Sequence, residues 1–312
     1  MAPSISAIRT LNASFSPLYL PCAVFIGGTS GVGQGIAEAF ARHTKGNAHI
    51  IIIGRNSSAA ESIIASFPQP TSPSAKHEFV SCDVSLMKNV QQTTQELLSR
   101  TSKINFLVLS PGMLSLNGRD ETEEGIDKKM ALHYYARWKF IHGLIPALVK
   151  AKEAGEDAKV VSVLAAGKGG KVDLDDLGLK KTFSLSAAAL QVTTYNDLMM
   201  EEYASRYPSL SFIHAYPGWV RTNIGSASPS PIIRVATKLA TSRLSPLSYL
   251  ATTQDDAGEY LLNGLLNTVS GPGAWRIGEH GDDIVKTRYF GDEESRKKLW
   301  EHTVQATGSN VE

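Results

Sequence analysis

Ala23-Val24-Phe25-Ile26-Gly27-Gly28-Thr29-Ser30-Gly31-Val32-Gly33 leads into Ile36-Ala37-Glu38-Ala39-Phe40-Ala41, so an apolar strand-like run passes through three spaced glycines into a helix-like stretch. That order of parts makes a phosphate cradle. Glycine tolerates the left-handed dihedrals of a tight turn and lets the backbone approach a pyrophosphate, while the helix N-terminus directs N–H groups and a positive dipole end at the anion. Thr29, Ser30 and Val32 fill the turn between Gly27, Gly31 and Gly33, and all six are candidate contacts for a bound nucleotide. Glycines also close ordinary turns, so the reading depends on the rest of the chain.

Apolar runs recur between amphipathic stretches: Cys22 to Ile26, Ala48 to Ile53, Glu78 to Cys82, Asn105 to Leu109, Lys159 to Val163 and Ser211 to Ala215. Their Val/Ile content without alternation indicates strands buried on both faces, and alternation with helices implies right-handed crossovers and a parallel sheet. The expected fold is therefore α/β, a doubly wound Rossmann fold with a central parallel sheet flanked by helices. Ligands in such sheets bind at the C-terminal ends of the strands. Further on, Gln254 to Leu266 reads as a helix, Gly273 to Gly278 as a short edge strand and Asp292 to Gln305 as a terminal amphipathic helix.

The 312 residues, 42% apolar and 20% charged, suffice for a full core. A formal charge of +1 with scattered lysine and arginine offers no basic face for nucleic acid or an anionic membrane. The longest purely aliphatic run, Ile50 to Ile53, is far below the roughly 20 residues a bilayer span needs. Residues 1–21 lack a continuous hydrophobic block and read as an N-terminal extension, with one nucleotide-binding domain over 22–312. The mixed segment Ser226 to Tyr249, within about 225–250, suits a substrate lid. Cys22 and Cys82 border strands and read as buried free thiols of a reducing, cytoplasmic compartment, not as metal ligands. The expected ligand is small, and no metal is expected.

If the glycine turn holds a dinucleotide, the end of the second strand meets the adenosine ribose, about 20 residues on. Arg55 stands there, in Ile53-Gly54-Arg55-Asn56. A carboxylate would accept the hydrogen bonds of a free ribose diol, whereas a guanidinium pairs with a 2′-phosphate. The cofactor expected is NADP(H). Asp83-Val84 ends the third strand where adenine would arrive, although Asp83 would equally suit a helix cap, and Ser110-Pro111-Gly112 ends the fourth.

At this point the pattern resembles the short-chain dehydrogenases/reductases, from about Cys22 to Asn223. Gly27, Gly31 and Gly33 match the family's T-G-x-x-x-G-x-G turn with Ile26 in place of threonine. Asp83-Val84 matches its adenine-binding pair, and Ser110-Pro111-Gly112 is a degenerate form of its N-A-G turn. Pro217-Gly218-Trp219-Val220-Arg221-Thr222 matches its P-G-x-V-x-T segment, which wraps the nicotinamide carboxamide. Gly54-Arg55-Asn56 and Leu299-Trp300-Glu301 are similar to the retinol-dehydrogenase-like branch and to relatives in fungal secondary metabolism. The resemblance implies an NADP-dependent oxidoreductase and pairing as dimers or tetramers through the helices after strands four and five.

It also implies a catalytic serine, a tyrosine, a lysine four residues after the tyrosine, and a relay asparagine. None is where the family has it. Ala165 takes the serine position in Val163-Leu164-Ala165-Ala166-Gly167, and the helix from Phe183 to Tyr207 contains no lysine. Counting back from Tyr207-Pro208 puts Ala189 and Thr193 at the tyrosine and lysine positions; anchoring on the helix start puts Phe183 and Ala187 there. Tyr135 and Lys139 have the right spacing on the wrong helix, and His133 takes the asparagine position. Candidate replacement acids are His133, Lys168 in the Gly167-Lys168-Gly169-Gly170-Lys171 loop, and Tyr195, although Tyr195 lies roughly 200° around the helix from Thr193.

Loss of a general acid costs ~10²–10⁴-fold. Three functions are compatible with that loss. The first is an NADPH-dependent reductase of a hydrophobic ketone, enone or imine, placed in secondary metabolite biosynthesis. The second is a non-redox isomerase or cyclase on the same scaffold, and the third a catalytically silent NADPH-binding regulatory protein. Tyr216, Trp219 and Trp138 are candidates for an aromatic pocket.

Overall fold

Seven strands form one parallel sheet in the order β3-β2-β1-β4-β5-β6-β7 in this computed structural model, which describes residues 2–222 and 251–310. They are β1 (Cys22–Ile26), β2 (His49–Gly54), β3 (Lys76–Ser81), β4 (Phe106–Leu109), β5 (Lys159–Val163), β6 (Ser211–Ala215) and β7 (Gly273–Ile277). The doubly wound Rossmann-type architecture read from the sequence is the one observed. The expected lid, Ser226 to Tyr249, lies outside the described residues.

The continuous apolar runs are explained by the two faces they feed. Val24, Ile26, Ile51, Ile53, Leu107 and Leu109 pack into one core, while Ala23, Phe25, Ile50, Ile52, Phe106 and Val108 pack into the other. Successive strand side chains point to opposite faces, so a strand covered on both sides must be apolar throughout. Each of Ile50 to Ile53 is fully buried, contributing on the order of 2–3 kcal/mol relative to exposure. The first core is closed by α4 (Met87–Arg100), α6 (Ala136–Glu153), α7 (Leu185–Arg206) and α9 (Glu293–Ala306), the second by α2 (Gly31–His43), α3 (Ser57–Ser66) and α8 (Gln254–Asn263).

β3 starts two residues earlier than its hydrophobicity suggests, because Lys76 and His77 are polar residues on an edge strand, and pairing with His49 and Ile50 recruits them. The N-terminal segment also forms a helix, α1 (Ile5–Asn12), capped by Ser4, whose hydroxyl accepts from Ala7 N–H at 3.3 Å. It is clipped to α8: Arg9 pairs with Asp255 and Asp256, and the Asn12 amide donates to the buried Glu259 carboxylate at 2.7 Å.

The helices that follow β4 and β5 are packed by the chain's own terminal helix. Tyr134 and Thr303 share a hydroxyl hydrogen bond of 2.7 Å, Trp138 and Trp300 meet edge to face, and the Lys139 ammonium donates to Thr307 O at 2.7 Å. Tyr135 likewise bonds His302 at 2.7 Å, so the Tyr135/Lys139 pair holds α9 in place.

Candidate active site

A cleft of about 310 Å³ lies across the C-terminal ends of the central strands. Its middle is the β1–α2 turn. Gly27 and Gly31 adopt φ of +81° and +59°, dihedrals that a side chain disfavours. At Gly33 the constraint is space: a Cβ there would stand 2.1 Å from Ser110 Oγ and 2.6 Å from Gly27 O, so the turn, β4 and α2 meet only because the side chain is absent. Ser30 is the N-cap of α2, yet no side chain caps the helix, which leaves its first N–H groups for a ligand. This chemistry fits a pyrophosphate.

Toward β2 and β3, Arg55 is exposed at the cleft wall and makes no ion pair among the described residues. Asn56 is spent locally, its carbonyl oxygen accepting from Ala59 N–H at 3.0 Å as the N-cap of α3. Asp83 lines the cleft and also accepts from Ser85 N–H and Oγ through Oδ1 at 3.1 and 2.8 Å, which leaves Oδ2 for a further donor. Thr29, Ser30, Val32, Val84, Ser110, Gly112, Pro217 and Thr222 line the same cleft. Gly33 supports it from beneath, and Gly218 and Val220 lie outside its lining.

Toward β4 and β5 the floor is formed by a feature the sequence reading did not anticipate. A π-helical turn, Ala131–Tyr135, joins the short helix α5 (Lys128–Met130) to α6 and turns Leu132 and His133 to the cleft. Extra-wide turns of this kind often mark functional sites. His133 Nε2 accepts the Met113 N–H at 3.2 Å. Burial, with help from the Arg137 and Lys129 charges, pushes its pKa down to about 3. His133 thus acts as an acceptor that holds the loop after β4, a positioning role and not the proton-donating one expected from the sequence.

One helical turn beyond His133, Arg137 also lines the cleft, at 1% exposure. Its guanidinium donates to Leu132 O, Ser162 Oγ, Val163 O and Pro111 O at 3.1, 2.7, 2.8 and 2.6 Å, tying together the ends of β4 and β5. Burial lowers its pKa to about 9, so it stays charged at neutral pH. The only signal in the sequence is a lone charge in the aromatic run Tyr134-Tyr135-Ala136-Arg137-Trp138.

The loop after β5 carries Ala165, whose N–H donates to His214 Nε2 at 3.2 Å; His214 in turn donates from Nδ1 to Asp197, which also pairs with Arg276. A fully buried charge network thus stands behind the position where the family has its serine. Ala189 is exposed, and the Thr193 hydroxyl donates back to Ala189 O at 2.9 Å. Tyr195 is fully buried against Tyr134, and its hydroxyl donates to Leu177 O and Gln191 Oε1. It does not reach the cleft, for the helical-wheel reason that its position relative to Thr193 already implied. Lys168 is exposed outside the cleft lining, with its ammonium 5.1 Å above the Tyr216 ring. Trp219 is 62% exposed beside this rim, whereas Trp138 is core.

The short chain dehydrogenase family matches residues 21–228, and the chain belongs to it. An oxidoreductase of Emericella nidulans, AN1596, is 38% identical over 246 residues, covering 78% of this chain and 72% of that protein. Among solved structures, an uncharacterized protein from Mycobacterium Paratuberculosis superposes with a TM-score of 0.69 at 16% identity, covering 96% of this chain and 98% of that one. An alcohol dehydrogenase from the archaeon Thermococcus sibiricus, complexed with 5-hydroxy-NADP, does so with 0.59 at 16% identity, covering 83% and 96%. The family match and the AN1596 relative make the protein an oxidoreductase of the short-chain type, and the solved structures share its fold.

Proposed function

We propose that the protein is an NADPH-dependent reductase acting on a hydrophobic ketone, enone or imine, in secondary metabolite biosynthesis. The observation that carries the cofactor assignment is Arg55, a guanidinium without an ion pair among the described residues, on the wall of a cleft whose centre is a helix N-terminus with no side-chain cap. Gly27 to Val32 would hold the pyrophosphate, Arg55 a 2′-phosphate, Asp83 the adenine, and Pro217 and Thr222 the nicotinamide end. When bound, the cofactor supplies the hydride. Structural neighbours complexed with an NADP derivative, with NAD and with NADH support a nicotinamide cofactor without choosing between NAD(H) and NADP(H).

The reading of the substrate as electrophilic rests on Ala165, Ala189 and Thr193, which supply no acid of the family's type at the positions counted for it. That it is apolar is supported by Val163, Leu164 and Leu132 in the cleft lining. An acceptor that needs little protonic assistance suits such a site, with water as the proton source. Isothermal titration with NADPH and NADH, followed by transfer of deuterium from labelled NADPH into product, tests the reading. Preference for NADPH and label in the product support it. A product formed without label points to an isomerase or cyclase, and a protein that binds neither nucleotide removes the reductase assignment.

A further inference from the structure

Arg137 carries a full charge that its surroundings do not neutralise. Its hydrogen-bond partners among the described residues are carbonyl oxygens and one hydroxyl, and no carboxylate there pairs with it. A buried cation without a counter-ion is costly to maintain, and groups of that kind concentrate where a ligand's charge matters. The carboxylate in the cleft lining, Asp83, follows β3, whereas Arg137 spans the ends of β4 and β5. In the observed strand order those ends are at least three strand spacings apart, roughly 14 Å, too far for Asp83 to pair with Arg137. Of the five guanidinium protons, Nη2 directs one to Pro111 O, and its second has no protein acceptor among the described residues.

The inference rests on the cleft being a nicotinamide dinucleotide site. With the phosphate turn at β1 and Arg55 at β2, the other end of a dinucleotide extends toward β4 and β5, where Arg137 lines the same cleft as Pro217 and Thr222. We propose that Arg137 selects the reduced cofactor: its fixed positive charge disfavours the cationic oxidised nicotinamide and spares the neutral dihydronicotinamide. The charge is held by the ends of two central strands, so it cannot swing away when the oxidised form is present. The consequence is a site that loads NADPH and releases NADP⁺, which suits a reductase working in one direction.

The test is the ratio of dissociation constants for NADP⁺ and NADPH, measured by calorimetry in the wild-type protein and in Arg137→Met and Arg137→Lys. The expected result is tighter NADPH binding by the wild type, a ratio reduced about tenfold in Arg137→Met and largely retained in Arg137→Lys. Equal affinities in the wild type overturn the proposal without any variant, which keeps the test valid if Arg137→Met does not fold. A folded Arg137→Met that binds both forms more weakly by the same factor also overturns it, because that is the signature of a structural role. If the wild type binds neither form, the dinucleotide reading itself fails, an outcome distinct from binding without preference.

Discussion

The β1–α2 turn and the loop after β5 stand at the same end of one sheet, yet the two were built under different demands. In the turn, Gly27, Gly31 and Gly33 satisfy a backbone requirement that few other residues meet, with two positive φ angles and a gap at Gly33 closed to a Cβ. In the loop, Ala165 has no functional side chain, and the buried network behind it, His214 with Asp197 and Arg276, braces the backbone through the Ala165 N–H. Holding a nucleotide is a matter of backbone shape and fixed dipoles, so the turn is constrained by sterics. Chemistry depends on individual side-chain atoms, which can be replaced without disturbing the strand that carries them.

The sharpest way to break this contrast is Gly33→Val. With Ser110 Oγ and Gly27 O both in the way, the added side chain should force α2 off β4, cost about 3 kcal/mol and abolish nucleotide binding. Urea unfolding and a nucleotide titration measure the two effects; wild-type stability with intact binding would mean that the turn yields more than its geometry implies. Arg55→Asp should weaken NADPH by about 10–100-fold and leave NADH within a few-fold, since it removes a phosphate partner from an exposed wall. Equal affinity losses for both nucleotides would detach Arg55 from the 2′-phosphate.

Smaller effects are expected at the other end. Tyr195→Phe removes a hydroxyl bonded to Leu177 O and Gln191, so stability should fall by about 1 kcal/mol while single-turnover hydride transfer is unchanged. A large drop in that rate would return Tyr195 to the reacting groups. His133→Gln should leave the pH profile of turnover unchanged between pH 5 and 8, because burial pushes the His133 pKa down to about 3, below that window. A lost ionisation near pH 6.5 would contradict the geometry at Met113.

Much of the fold was readable because burial on both faces writes itself as unbroken Ile and Val, as in Ile50 to Ile53, and because helix starts carry glycine and cap residues. β1, β5 and β6 begin and end where their apolar runs do. The edge strand β3 was less legible, since Lys76 and His77 owe their conformation to the neighbouring strand and not to their own hydrophobicity. The π-turn at Ala131–Tyr135 left no periodic signature, whereas the helix at Ile5–Asn12 carries one in Ile5, Ile8 and Leu11 that went unread.

From the sequence alone came the order of strands and helices, the glycine turn, Arg55 at the second strand end, and Ala165, Ala189 and Thr193 at the positions counted for the family's serine, tyrosine and lysine. These are local properties: a dihedral, a run of apolar residues, or the identity of a residue at a counted position. The tertiary structure decided that Arg137 lies charged in the floor of the cleft, that His133 is an acceptor, and that Tyr195 points into the core. Each depends on which groups from distant segments surround a side chain, and burial and hydrogen-bond partners set charge and accessibility only once the chain has folded.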